Sequence, residues 1–268
     1  MNTSKQQAEK SSRYLREPVV LVGVGEMGGV FARGLLRIGC PLVPVTRDMD
    51  IDAVADAAPD AALVLVAVAE DDLHAVLETL PPVWRHRVGL LQNELLPRDW
   101  EAHELAAPTI IVVWFEKKKG SEYKVIISSY AYGPRAELVV QALQSLDIPC
   151  RALACENELV FELVRKNVYI LTTNIAGIET GGTVGELWRQ HRALAQRVAE
   201  EVIGIQSWLA GRTLPVDRLL AGMLEAFDAD PAHGCTGRSA PARLARALRF
   251  ARAGGLEVPT LRAIAARR

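Results

Sequence analysis

The chain has 268 residues, half of them apolar, and a formal net charge of −1. That length allows one large domain or two modest ones, each with a real core. A charge balance near zero argues against the whole molecule being a nucleic-acid binder, and no apolar run reaches the roughly 20 residues of a membrane span.

Residues 1–16 are polar and charged with no apolar h-region, so they read as a disordered tail rather than a signal peptide. From there the first half alternates short apolar runs with helical stretches, the pattern of a parallel α/β sheet. A strand is expected at 18–23, a helix at 26–38, a strand at 42–46, a short helix at 52–58 and a buried strand at 62–68. A helix at 70–80 follows, with Asp71 and Asp72 in its first turn, then strands at 87–92 and 109–114. Lys117-Lys118-Lys119-Gly120 reads as an exposed turn, with a phosphate contact as the lesser reading, leading into a strand at 124–130, a helix to Leu146 and an edge strand at 148–153. Trp114-Phe115, after a strand, is placed to wall a ligand pocket. Beyond Glu156 the pattern is helical: one long helix at 158–177, then helices near 185–209, 215–228 and 240–253. The expected architecture is a Rossmann-type parallel-sheet domain over 17–154 followed by an all-helical substrate and dimerisation domain over 155–268.

The chemistry begins at Gly23-Val24-Gly25-Glu26-Met27-Gly28. A G-x-G-x-x-G run is weak evidence alone, but here it follows a strand and opens a helix. Gly23 suits the tight turn, Gly25 admits a pyrophosphate to the backbone and Gly28 lets helix and strand pack closely. The amides of Glu26 and Met27 would face the phosphates at the helix N-terminus. At the end of the second strand the chain reads Thr46-Arg47-Asp48. Thr46 and Arg47 suit the 2′-phosphate of NADP, whereas Asp48 would hold NAD ribose hydroxyls if the strand ended later. NADP is the preferred reading.

In the long helix, Lys166, Ile170, Thr173, Asn174 and Gly177 fall on one face. A lysine there can protonate a carbonyl oxygen as hydride arrives, and an asparagine can orient the substrate; the plainer reading is a surface lysine and a hydrogen-bonded asparagine at a helix kink. Arg243, Arg246, Arg249 and Arg252 recur every three residues and read as a solvated stripe, with the lesser reading that one of them or Arg238 pairs with a substrate anion. Four cysteines lack C-x-x-C spacing and five histidines form no H-x-x-x-H pair, so no metal site is expected and reduced thiols suit a cytoplasmic protein.

The run Glu162-Leu163-Val164-Arg165-Lys166, then Asn174-Ile175 and Gly185-Glu186-Leu187, resembles the ketopantoate reductases. Asn93 after a strand, Gly133-Pro134 before a helix and Gly255-Leu256-Glu257-Val258-Pro259 extend that resemblance over nearly the whole chain from Pro18. It implies an NADPH-dependent carbonyl reductase with a 6-phosphogluconate dehydrogenase-like C-terminal domain. Lys166 would then be the proton donor, Asn174 a substrate contact and Asn93 a residue near the nicotinamide, with Val68 beside the cofactor. The departures are Ile170 for the family's asparagine, Ile175 for the proline after its second asparagine, about Ala69 for its lysine, and Ser239 for its glutamate toward the substrate hydroxyl. Losing those partners points away from ketopantoate, toward another 2-oxo acid or an imine. The competing reading is a catalytically inactive NADPH-binding Rossmann protein, a sensor or scaffold. The expected partners are a small-molecule substrate and a possible second copy in a homodimer, with no nucleic acid and no membrane.

Overall fold

The computed structural model describes residues 17–267, so the expected tail over 1–16 lies outside the described residues. The chain forms two compact units, one of 17–92 with 99–159, the other of 93–98 with 160–267.

The first unit is built on a seven-stranded sheet. In chain order the elements are β1 (Val19–Val22), α1 (Glu26–Arg37), β2 (Leu42–Val45), α2 (Ile51–Ala57), β3 (Leu63–Val66), α3 (Leu73–Glu78) and β4 (Val88–Leu90). Then come α4 (Pro97–Glu101), which runs from the second unit's segment 93–98 into the first, and β5 (Thr109–Val112), β6 (Phe115–Glu116), β7 (Lys124–Val125), β8 (Ser129–Tyr132), α5 (Ala136–Gln144) and β9 (Cys150–Ala152). The strand order is β2-β1-β3-β4-β5-β8-β9, with β1 to β5 parallel and β8 antiparallel to β5. Strands β1 and β3 are buried along their whole length, which is why they read as unbroken apolar runs. Because β1 is flanked by β2 and β3, the chain reverses direction across the sheet there. That switch point opens a crevice at the carboxyl ends of β1 and β3, where ligands bind in such sheets.

Helix α1 buries Val30, Phe31 and Leu35 on one face and packs against α5. The approach is close because Gly34 has no side chain: a Cβ there would lie 2.4 Å from the Ala142 carbonyl oxygen. Asp50 caps α2 by accepting from the amides of Asp52 and Ala53. The expected strand at 124–130 is broken in two. Its first part, β7, pairs with β6 in a separate two-stranded sheet, and only β8 joins the main sheet. Ser129 explains the change, since its hydroxyl accepts from the Trp114 amide at 2.9 Å and its own amide donates to Pro149.

In the second unit, α6 (Glu156–Thr180) enters from the first unit and is followed by α7 (Val184–Gln190), α8 (Arg192–Leu209), α9 (Val216–Ala229), α10 (Ala240–Ala253) and α11 (Pro259–Ala266). The single helix expected near 185–209 is two helices divided at His191. Helix α8 packs against α7, α9, α10 and α11, and Glu201 on it caps α11 through the amides of Thr260 and Leu261. Gly181 and Gly182, at φ of 62° and 72°, end α6 in the left-handed conformation.

Among the described residues no helix is long and apolar enough to cross a membrane, and no group of three or more acidic, histidine or cysteine side chains is arranged to hold a metal ion.

Candidate functional site

In the first unit, the sequence-predicted cofactor residues gather at the switch point. Gly23 sits at φ 92° and its amide donates to the Val45 carbonyl at 3.0 Å, tying the turn to the end of β2. A Cβ on Gly28 would lie 2.3 Å from the Gly23 carbonyl oxygen, so only glycine lets α1 start this close to β1. A Cβ on Gly25, by contrast, would meet nothing within 4 Å. That difference is what a dinucleotide needs: contact behind the turn and open backbone in front of it. Gly25 is the N-cap of α1 and supplies no side chain to its amides, leaving them for a phosphate. The residues present therefore fit a pyrophosphate. Val68 flanks the turn, its Cγ1 3.1 Å from the position of a Gly23 Cβ, while the Met27 side chain packs into the core. Strand β2 ends at Val45, so Thr46 and Arg47 are the first two residues beyond it, both exposed. Arg47 donates to Asp72 at 3.3 Å.

One residue here escaped the sequence reading and another departs from it. Gln92, buried, donates to the carbonyls of Val66 and Val68 at 2.8 and 3.3 Å, holding the end of β3. Lys117, expected on an exposed turn, instead keeps a mostly buried side chain and reaches Glu26 at 2.9 Å. The β6–β7 sheet lies along α1, with Phe115 against Phe31, and Arg33 over the Tyr123 ring and 3.6 Å from Glu122. Trp114 and Phe115 are thus core residues rather than pocket walls. A cavity of about 590 Å³ near Pro108 lies at the amino end of β5, the opposite end of the sheet from the glycine turn. Glu101, Glu104 and Glu156 line it, which suits no anionic nucleotide.

In the second unit, Lys166 on α6 is only 6 % exposed. Ile170 and Asn174 are half-buried one and two turns on. The polar groups around Asn174 form a directed chain. Arg243 on α10 donates to Oδ1 of Asn174 at 2.9 Å, Nδ2 of Asn174 donates to Thr173 Oγ1 at 3.4 Å, and that hydroxyl donates to the Tyr169 carbonyl at 2.9 Å. Arg243 and Arg246 share one carboxylate: Glu94 accepts from Arg243 Nε at 3.2 Å and from Arg246 Nε and Nη2 at 3.0 and 2.7 Å. Of the arginine stripe, Arg249 and Arg252 are exposed as expected, but Arg243 and Arg246 are not; they are drawn inward by Glu94. Glu94 escaped the sequence reading although it adjoins Asn93; it holds a φ of 60°, uncommon for a residue with a side chain.

The glycines of the second unit also have a role. The loop 231–237 is pinned by Val184 and Gly185 donating to the carbonyls of His233 and Pro231, and by Cys235 donating to Gly182. It then crosses α6 at Gly177, where a Cβ would lie 2.6 Å from Cys235 Cβ, and brings Gly237 near Asn174. Burial and Glu186 push the Cys235 thiol up to about 11. Glu186 completes a capping box with Thr183, so the Gly185-Glu186-Leu187 run builds a helix start. Ser239 is exposed at the start of α10, and Asn93 is half-buried.

No family model matches the chain. Among curated proteins, a glutamyl-tRNA reductase of Sulfurovum sp. (strain NBC37-1) is 32% identical over 97 residues, which is 30% of this chain and 20% of that protein. The chain thus spans about a fifth of the length of the curated relative it matches. Solved structures cover far more. A PanE/ApbA family ketopantoate reductase from Ralstonia eutropha JMP134 superposes with a TM-score of 0.63 at 17% identity, over 92% of this chain and 96% of that one. The 2-dehydropantoate 2-reductase from Methylococcus capsulatus gives 0.64 at 14% identity, over 93% and 94%. A D-mandelate dehydrogenase in a ternary structure with NADH and anilino(oxo)acetate gives 0.60 at 13% identity, over 92% and 95%. The resemblance carried by the lysine helix is therefore matched by the backbone: this chain has the ketopantoate reductase fold, in a divergent sequence.

Proposed function

We propose that the protein is a divergent relative of the ketopantoate reductases, an oxidoreductase that reduces the carbonyl of a 2-oxo acid, or the corresponding imine, other than ketopantoate. The observation that carries this reading is Lys166: a lysine residue only 6 % exposed, on the same helix as an asparagine whose amide is fixed by buried charge. Lysines are seldom fully buried unless paired, and this one is held on the face that carries Asn174. The neighbour bound to anilino(oxo)acetate, an oxo acid derivative with an aromatic group, supports a substrate less polar than ketopantoate, as does Ile170 on the lysine face.

A bound nicotinamide dinucleotide would supply the hydride to the substrate carbon. Gly23, Gly25 and Gly28 with the amides of Glu26 and Met27 would hold its pyrophosphate, Val68 would flank it, and Thr46 and Arg47 would favour the 2′-phosphate of NADP over NAD. Asn93 would fix the nicotinamide ribose or the substrate. Lys166 Nζ gives a proton to the heteroatom as the C=O or C=N bond becomes C–OH or C–NH, and Asn174 orients the substrate. Ile170 and Ser239 would shape the remainder of the substrate site. A homodimer and a cytoplasmic location belong to the same proposal.

Replacing Lys166 by Ala is expected to cut turnover about 100-fold or more, the usual worth of a general acid, with dinucleotide affinity unchanged. Following NADPH oxidation over a panel of 2-oxo acids, aldehydes and imines provides the check. Equal turnover by the variant would remove Lys166 from the chemistry. Tight NADPH binding with no turnover on any member would favour the inactive binding protein, which the replaced positions Ile170 and Ser239 also permit.

A further inference from the structure

We infer that Glu94 and Arg243 are positioning residues that lock Asn174 as a hydrogen-bond donor, so that the site selects a substrate carboxylate; this rests on the reading of Lys166 and Asn174 above. A guanidinium has five N–H donors and no acceptor, so Asn174 must turn Oδ1 toward Arg243 and Nδ2 away from it. Arg243 cannot swing aside freely, because its Nε is held by Glu94, which Arg246 grips through two further bonds. The Asn174 amide nitrogen is thereby turned toward Thr173, whose own proton is committed to the carbonyls of Tyr169 and Ile170. One Nδ2 hydrogen meets Thr173 Oγ1, and the second has no partner among the described residues.

Two turns back on the same helix, Lys166 likewise offers only N–H donors. A helix face presenting an oriented amide N–H and an ammonium offers donors and no acceptor, which favours a ligand that only accepts. An ionised carboxylate accepts only, and in a 2-oxo acid it adjoins the carbonyl oxygen that Lys166 would protonate. The left-handed backbone of Glu94 is consistent with this role. A non-glycine residue at φ 60° carries strain that persists where surrounding contacts over-determine it, and here two guanidinium groups do so.

The experiment is calorimetric titration of the full-length protein with oxamate, an unreactive 2-oxo acid mimic, with and without NADPH. Acetamide serves as the control lacking the carboxylate. The wild type is expected to bind oxamate and ignore acetamide. Arg243→Met should weaken oxamate binding about tenfold, the loss of one well-placed charged or oriented hydrogen bond. Arg243→Lys, which keeps a donor-only cation, should recover most of that loss. Asn174→Asp retains the pairing with Arg243 but exchanges the donor for a carboxylate, and should abolish binding. Glu94→Gly suits the left-handed backbone and covers the case in which Arg243→Met fails to fold; it should weaken binding as Arg243→Met does. Steady-state kinetics should place these losses in KM for phenylglyoxylate rather than in kcat, with KM for benzaldehyde unmoved. The inference is overturned if the wild type does not bind oxamate, or if folded Arg243→Met and Glu94→Gly bind it like the wild type. An absence of turnover with intact, Arg243-dependent oxamate binding would instead overturn the reductase reading alone.

Discussion

The carboxylate of Glu26, the first residue of α1, accepts from the ammonium of Lys117 at 2.9 Å. The acid suits the helix dipole, yet it stands beside Gly25, where a pyrophosphate would bring more negative charge. Lys117 cancels that charge from the β6–β7 sheet lying along the helix. Lys117→Met is therefore expected to weaken dinucleotide binding about tenfold, the scale of one charge-assisted contact. Lys117→Met combined with Glu26→Gln should restore most of the affinity. Fluorescence titration with NADPH measures both; a double variant as weak as the single one would mean that Lys117 meets the phosphates itself.

The three turn glycines separate folding from binding. Gly28→Ala places a methyl group 2.3 Å from the Gly23 carbonyl oxygen, so backbone must shift, at a cost of about 1–3 kcal/mol. Its melting temperature should fall by several degrees. Gly25→Ala points its methyl into open space and should melt like the wild type while losing dinucleotide affinity by tenfold or more, roughly one lost close phosphate contact. Calorimetry and thermal melts on the two variants provide the comparison.

Arg47 stands two residues beyond β2 with its side chain in solvent, tethered only to Asp72 among the contacts resolved for it. Arg47→Ala is expected to raise the Kd for NADPH about tenfold and to leave that for NADH unchanged, because only the former carries a 2′-phosphate. Equal effects on the two cofactors would show that Arg47 does not read the phosphate.

His103 and His74 meet nitrogen to nitrogen at 2.8 Å, so one ring must accept while the other donates. Burial, with His74 beside it, holds the His103 pKa below the usual 6.5. The folded chain therefore keeps this imidazole neutral where the unfolded chain takes up a proton. The stabilisation is complete above about pH 6.5 and is lost as the pH falls through the lowered value. Melting temperature should drop on acidification from about pH 7.5 to about pH 5, and the drop should be smaller in His103→Asn. Parallel curves for the two proteins would assign the acid sensitivity elsewhere.

Much of the fold was legible because local patterns and tertiary demands agree. β1 and β3 are short β-branched apolar runs, α1 shows a helical apolar stripe, and Gly23 and Gly28 occupy positions where a side chain would collide. The broken strand was not legible, since Lys124 to Tyr130 is continuous in β-forming character. The break comes from Ser129 bonding to Trp114 and Pro149, partners 15 and 20 residues away.

What the sequence determined by itself is periodic or nearest-neighbour in origin: the alternating α/β half, the helical half, the glycine turn at 23–28, and a long helix carrying Lys166 and Asn174. What only the tertiary structure decided is the fate of charges far apart in the chain. The arginine stripe of α10 has a repeat that any solvated helix shows, and Glu94 lies 149 residues before Arg243. Their pairing, like that of Glu26 with Lys117, depends on long-range packing that brings side chains within about 3 Å, the range over which a hydrogen bond acts and to which sequence spacing is blind.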